Sequence, residues 1–154
     1  MASKDYVTMA QIDAAPDVVW RILTDAGGYA SWNPEIIGVE GAFALNERIK
    51  AKVKVKAGNG RLAVRAVPMR ITAFNPPTSV RPQGRMEWTG GLPFGLFTGK
   101  RLLSVTRRMG GGTDFRMELK MSGPLLGMIL KSVGDRQPEI DSFSAALKAR
   151  AEQN

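Results

Sequence analysis

The stretch Ile12-Asp13-Ala14-Ala15-Pro16-Asp17-Val18-Val19-Trp20, continued by Leu23, Asp25, Tyr29 and Trp32-Asn33-Pro34, decides how this chain folds. Just upstream, Tyr6, Thr8, Ala10 and Ile12 alternate with Val7, Met9 and Gln11, the period of two expected of a strand. Ala15-Pro16 stops that strand. Pro16 suits the first turn of a helix, where its missing N–H would have had no partner. Asp17 lies in the same turn, where a carboxylate is favoured by the helix dipole. Val18, Val19, Ile22 and Leu23 give this helix an apolar side, and Gly27-Gly28 is expected to end it. A second short helical segment then closes at Trp32-Asn33-Pro34.

Beyond Pro34 the period of two takes over. A strand is expected over residues 36–44, followed by a turn at Asn46-Glu47. Over 48–56, Ile49, Ala51, Val53 and Val55 alternate with Lys50, Lys52, Lys54 and Lys56, one buried face and one wet face. Gly58-Asn59-Gly60 is expected to turn the chain into a strand over 61–75, with Pro68 at a bulge or an edge. Pro76-Pro77 interrupts, and 85–89 continues the sheet with Met86 and Trp88 inward, Arg85 and Glu87 outward. The glycine-rich segment 90–95 is expected to be a mobile connection. A final hairpin, 97–109 and 113–122, turns at Gly110-Gly111-Gly112. In its second arm Phe115, Met117, Leu119 and Met121 alternate with Asp114, Arg116, Glu118 and Lys120, a phase that puts Asp114 and Glu118 on a salt-bridged outer surface; a register shifted by one residue would instead turn them into the cavity as candidate acids or bases.

After Gly123-Pro124 the period changes. Leu126, Ile129, Val133, Ile140, Phe143 and Leu147 fit one face of a long helix, which Gly134 and Pro138 should bend or break. Arg136 stands where that stripe calls for an apolar residue. In a continuous helix its guanidinium would face the sheet and need a carboxylate, because an unpaired buried charge is too costly to persist. The flanking Gly134 and Pro138 favour the other outcome, an irregular backbone with Arg136 in solvent.

At 154 residues the chain is sized for a single domain, 1–154, with enough interior for a core. No run approaches the ~18 apolar residues of a membrane span. The opening Met1-Ala2-Ser3-Lys4-Asp5 lacks the apolar core of a secretion signal, so the cytoplasm is the expected compartment. The chain has no cysteine, which excludes disulfides, thiolate metal sites and a Cys nucleophile. It has no histidine either, which excludes a Ser-His-Asp arrangement and a His-ligated zinc or iron. Any general acid or base would have to be a carboxylate, Lys or Tyr. On this reading the sequence offers no catalytic residue, no metal site and no cofactor. The net charge of +8 is scattered along the chain and reads as a solubilising surface. The row Lys50, Lys52, Lys54 and Lys56 reads as a solvated face or the guard of an edge strand; its alternative reading is a peripheral contact with an anionic membrane. No aromatics interleave with these lysines, so no nucleic-acid partner is expected. The oligomeric state is left open.

Three blocks resemble the START-like, or SRPBCC, superfamily of helix-grip proteins, and in particular its polyketide cyclase/dehydrase and lipid-transfer branch. The first is the opening from Ile12 to Pro34. The second is Met86-Glu87-Trp88-Thr89-Gly90-Gly91 with Gly95-Leu96-Phe97-Thr98-Gly99. The third is Gly112-Thr113-Asp114-Phe115-Arg116-Met117-Glu118, then Gly123-Pro124-Leu125 and the closing Ala146-Leu147-Lys148-Ala149-Arg150-Ala151-Glu152. Their order and spacing span nearly the whole chain. The resemblance implies an α+β helix-grip fold: a curved antiparallel sheet of about seven strands, two short helices and a long C-terminal helix, with a cavity between sheet and helix. It implies binding or transport of a hydrophobic or amphipathic small molecule, such as a lipid, quinone or polyketide. The same superfamily includes polyketide cyclase/dehydratase-type enzymes and co-chaperone-like interaction modules, which are the alternatives. Cyclase relatives often carry polar or acidic groups inside the cavity. The inward faces expected here are almost wholly aliphatic, aromatic or Met, which favours binding over catalysis.

The cavity lining expected from strand and helix phase is Trp32, Phe74, Met86, Trp88, Leu103, Phe115, Met117, Ile129 and Val133. Trp32 either plugs the junction between the short helices and the sheet or sits at the cavity entrance. Trp88 would offer a flat wall to a planar ligand or fill the core. Met69, Met86, Met117, Met121 and Met128 are polarizable and adapt to variously shaped neighbours. The apolar residues Leu92, Phe94, Leu96 and Phe97 in the glycine-rich segment read as a lid, a membrane contact or a subunit contact.

Overall fold

The computed structural model describes residues 2–56 and 60–153. Seven strands form one antiparallel sheet: β1 (Ser3–Ile12), β2 (Ile36–Glu40), β3 (Arg48–Lys56), β4 (Leu62–Asn75), β5 (Gln83–Leu92), β6 (Phe97–Arg107) and β7 (Thr113–Ser122). Their spatial order is β1-β7-β6-β5-β4-β3-β2. Helix α1 (Pro16–Thr24) and a 3₁₀ segment (Ala26–Ser31) join β1 to β2, while α2 (Leu126–Val133) and α3 (Gln137–Glu152) follow β7. The α+β helix-grip architecture expected from the sequence is therefore the observed one. Among the described residues no helix is long and apolar enough to cross a membrane.

Alternation of side chains sets which face of each strand is covered. In β7 Phe115, Met117, Leu119 and Met121 are buried, and Arg116 and Lys120 are exposed. In β3 the bounds and the phase are those read from the sequence, with all four lysines exposed. The lysine row does not guard an edge, because β2 lies outside β3; Lys52 reaches Glu40 at 3.6 Å. Register irregularities between Ile36 and Gly38 and between Ile71 and Ala73 bend the sheet. Pro68 lies one residue beyond the last β4–β5 pair, Met69↔Gly90, so its missing N–H breaks no ladder on that side.

The covered face holds the core. Trp88, Tyr29, Phe115 and Phe143 are fully buried. Phe115 and Phe143 stack with centroids 6.1 Å apart and planes 4° apart, which fixes α3 to β7. The Tyr29 hydroxyl donates to the Leu23 carbonyl at 2.6 Å, holding the 3₁₀ segment against the end of α1.

Several local expectations are revised. Helix α1 ends at Thr24, and Gly27-Gly28 lie inside the 3₁₀ segment, where the Gly28 N–H donates to the Asp25 carbonyl. Strand β2 stops at Glu40 rather than at residue 44. At Gly41 φ is +107°, and a Cβ there would stand 2.8 Å from the Arg48 carbonyl oxygen, so the chain leaves the ladder. Phe43 nonetheless returns to the core at 7% exposure. Segment 90–95 is not a loose connection. Strand β5 runs to Leu92, which pairs with Phe97, and Pro93–Gly95 forms a tight 3₁₀ turn. The turn expected at Gly58-Asn59-Gly60 lies, except for Gly60, outside the described residues. The long helix is broken: α2 ends at Gly134, where φ is +73°, and α3 begins at Gln137.

Candidate functional site

The break between α2 and α3 carries Arg136 inward, not into solvent. It is 3% exposed, at the N-cap position of α3. The physical reason is a buried carboxylate that the sequence reading did not single out. Glu35 follows Pro34 at the entry to β2 and is fully buried. The Asn33 side-chain oxygen accepts from the backbone N–H groups of Glu35 and Ile36 at 2.9 and 2.8 Å, and the Glu35 carbonyl accepts from the Lys54 N–H at 2.8 Å. This local bracing turns the Glu35 side chain under the sheet.

Two guanidiniums meet it there. Arg101 lies on β6 in phase with the buried Leu103 and Val105. Its Nη1 donates to Glu35 Oε1 at 2.7 Å and its Nη2 to Oε2 at 2.8 Å, a two-pronged pair. Its guanidinium carbon sits 5.7 Å from the Trp88 ring centroid and 5.8 Å from that of Phe143. Arg136 Nη2 donates to Glu35 Oε2 at 2.8 Å. Arg136 Nη1 is buried with no hydrogen-bond partner.

Burial works to raise the Glu35 pKa, but the charges and hydrogen bonds of Arg101 and Arg136 outweigh it and hold the carboxyl below the ordinary range. Burial likewise disfavours charge on Arg101, and Glu35 reverses this and raises its pKa. Nearby, burial raises the Tyr29 pKa far above its usual value against the opposing pull of Arg101, with Asp25 and Glu35 adding to the rise. Tyr29 is therefore a neutral phenol at neutral pH. The cluster brings together one carboxylate and two guanidiniums, and carries a net charge of one positive.

The cluster borders a hollow of about 440 Å³ between the sheet and α2. Val53 and Val55 of β3, Val67 and Met69 of β4, Gly90 and Leu92 of β5, and Phe97 of β6 form one wall. Leu119 and Met121 of β7 and Ile129 and Val133 of α2 complete it, with Arg101 and Arg136 at its polar part. Exposed Arg65 and Ser132 also border it, and Arg65 Nη2 reaches Ser132 Oγ at 3.4 Å between β4 and α2.

Of the nine lining residues expected from sequence, Ile129 and Val133 border this hollow. The other seven do not. Met86, Trp88, Leu103, Phe115 and Met117 are at most 1% exposed and sit on the expected face, but in the packed part of the core. There the aromatic side chains fill the space: Trp88 stacks on Phe43 at 5.3 Å, and Phe143 fills the gap beside Phe115. Half-buried Trp32 packs on Tyr29 of the 3₁₀ segment at 5.1 Å and on Phe143 of α3 at 5.6 Å, so it sits between that segment and α3. Half-buried Phe74 packs on Trp20 at 5.6 Å. Met69 and Met121 line the hollow, whereas Met128 is exposed. The expectation of an almost wholly apolar interior is corrected by Glu35, Arg101 and Arg136. Arg101 was detectable as a charge in the inward phase of its strand; Glu35, outside any periodic segment, had no such signal.

Comparison with known proteins agrees with this architecture. The family described as polyketide cyclase / dehydrase and lipid transport matches residues 5–152. No curated protein matches the sequence. Among solved structures, a START superfamily protein from Mycobacterium smegmatis is similar with a TM-score of 0.65 and 16% identity, covering 97% of each chain. The Zhui aromatase/cyclase from a Streptomyces species has a TM-score of 0.66 and 14% identity, covering 99% of this chain and 95% of that one. Norcoclaurine synthase from Thalictrum flavum, as a point mutant with a transition-state analogue, has a TM-score of 0.65 and 10% identity, covering 99% and 96%. At such identities the likeness is one of fold. The match over residues 5–152 settles the grouping that the seven-stranded sheet and its helices had already suggested: the chain belongs to the polyketide cyclase/dehydrase and lipid transport family.

Proposed function

We propose that this protein binds an apolar or amphipathic small molecule, of the lipid, quinone or polyketide kind, in the hollow between the sheet and α2. The observation that carries this reading is the hollow itself: about 440 Å³, bordered mostly by aliphatic side chains, Met and Phe97. That volume lies in the ordinary range of small-molecule sites. Binding would be driven by removing apolar ligand surface from water. Beside the hollow, Leu92, Phe94 and Leu96 are exposed on the β5–β6 turn, an apolar tip suited to handling a poorly soluble guest.

A second reading, cyclase- or dehydratase-type catalysis, has one observation in its favour: charged groups buried at the hollow. Glu35 is nevertheless a poor base, because two arginines hold its pKa down and occupy both its oxygens.

The binding reading is tested by titrating the neutral fluorophore N-phenyl-1-naphthylamine into wild type and Ile129→Trp. Ile129 borders the hollow from α2, and a Trp there fills it. Saturable binding by wild type and its loss in a folded Ile129→Trp variant are expected. Equal binding by both, or none by wild type, contradicts the proposal.

A further inference from the structure

We infer that the guest carries a single negative charge, a carboxylate, seated against Arg136 where the hollow meets the buried charge cluster. This inference rests on the binding reading above and names the class of ligand.

Both charge and hydrogen-bonding capacity at the cluster call for an anion. Arginine stays protonated in proteins, so Arg101 and Arg136 bring two positive charges to a site where Glu35 supplies one negative charge. Tyr29 does not supply the second, since its hydroxyl donates to the Leu23 carbonyl and stays neutral. Glu139, three residues along α3, also has a buried unpartnered oxygen, Oε2, but it makes no ion pair with Arg136. Arg136 uses Nη2 on Glu35 and leaves Nη1 buried and unpartnered, and Arg136 itself borders the hollow. A buried cationic donor without a partner is costly. One monoanion removes that cost and brings the cluster to neutrality, whereas a doubly charged phosphate would overshoot it. The apolar body would then extend along Met69, Phe97, Met121 and Ile129. Exposed Arg65 is the competing cation.

The test compares dodecanoate with 1-dodecanol by calorimetry on wild type, Arg136→Met and Arg65→Gln. Wild type should prefer dodecanoate by about tenfold or more, the effect of one charge-assisted hydrogen bond. Arg136→Met should bring that ratio close to one while keeping dodecanol binding, and Arg65→Gln should leave the ratio high. A purely structural role for Arg136 would weaken both ligands alike and leave the ratio unchanged, which overturns the inference. So does a preference that disappears in Arg65→Gln instead, or a wild type that binds both ligands equally. In that last case the apolar pocket stands and only its anionic subsite fails; if neither ligand binds, both readings fail. Should Arg136→Met not fold, wild type alone decides. The carboxyl of [1-¹³C]dodecanoate, once bound, should stay ionised to lower pH than in buffer; titration as in buffer would place it away from the cluster and overturn the inference.

Discussion

Glu35→Gln keeps the shape of the side chain and removes its charge. In the folded protein Glu35 is fully buried and accepts three charge-assisted hydrogen bonds of 2.7 to 2.8 Å from Arg101 and Arg136. Breaking one partner of such a buried ion pair costs about 3–5 kcal/mol, because the opposite charges remain buried without compensation. For a chain of 154 residues this corresponds to a fall in Tm of roughly 10 °C. The assay is urea unfolding followed by Trp fluorescence, with circular dichroism as a second probe of two-state behaviour. The pH dependence gives an independent check. The folded pKa of Glu35 is depressed, so its contribution is fully present above the ordinary unfolded carboxylate value and is lost as pH falls through the folded value. The stability gap between wild type and Glu35→Gln should therefore be widest near neutral pH and narrow on acidification below the ordinary carboxylate range. A loss under about 1 kcal/mol, or a gap that does not change with pH, would refute the assignment of a buried, ionised Glu35.

Two further outcomes follow from the local geometry. Asn33→Ala removes the oxygen that accepts from the N–H groups of Glu35 and Ile36 and leaves two buried donors without a partner; unfolding titrations should show a loss of about 1–3 kcal/mol. Gly91→Ala adds a Cβ 2.1 Å from the Phe97 carbonyl oxygen, at a φ of +148° that L side chains rarely adopt; hydrogen exchange should show the β5–β6 pairing at Gly91 and Leu92 opening in the variant and remaining protected in wild type.

How much of this was legible in the sequence depends on what periodicity can report. The bounds of β3 and β7 were readable because one face of each is apolar and the other charged, so a shift of one residue would invert every side chain. The end of β2 is hidden in the sequence because Phe43, past the strand, is buried and prolongs the apolar pattern. Met86, Trp88, Leu103, Phe115 and Met117 were placed on the covered face, where they are. Phase names the face but not the position along it, and only packing separates the part filled by aromatic rings from the part left hollow. The charge cluster joins Glu35 to Arg101 and Arg136, which lie 66 and 101 residues further along the chain. No local pattern reports a partner that distant, and without Glu35 the helix break made Arg136 read as exposed.

The most direct test of the hollow is methyl ¹³C–¹H NMR during titration with N-phenyl-1-naphthylamine. Binding in the hollow predicts concerted shifts at Val53, Met69, Met121, Ile129 and Val133, with Leu103 and Met117 in the packed core unmoved. Shifts centred on Leu103 and Met117 with the first group silent would contradict it, as would a spectrum unchanged at saturating probe.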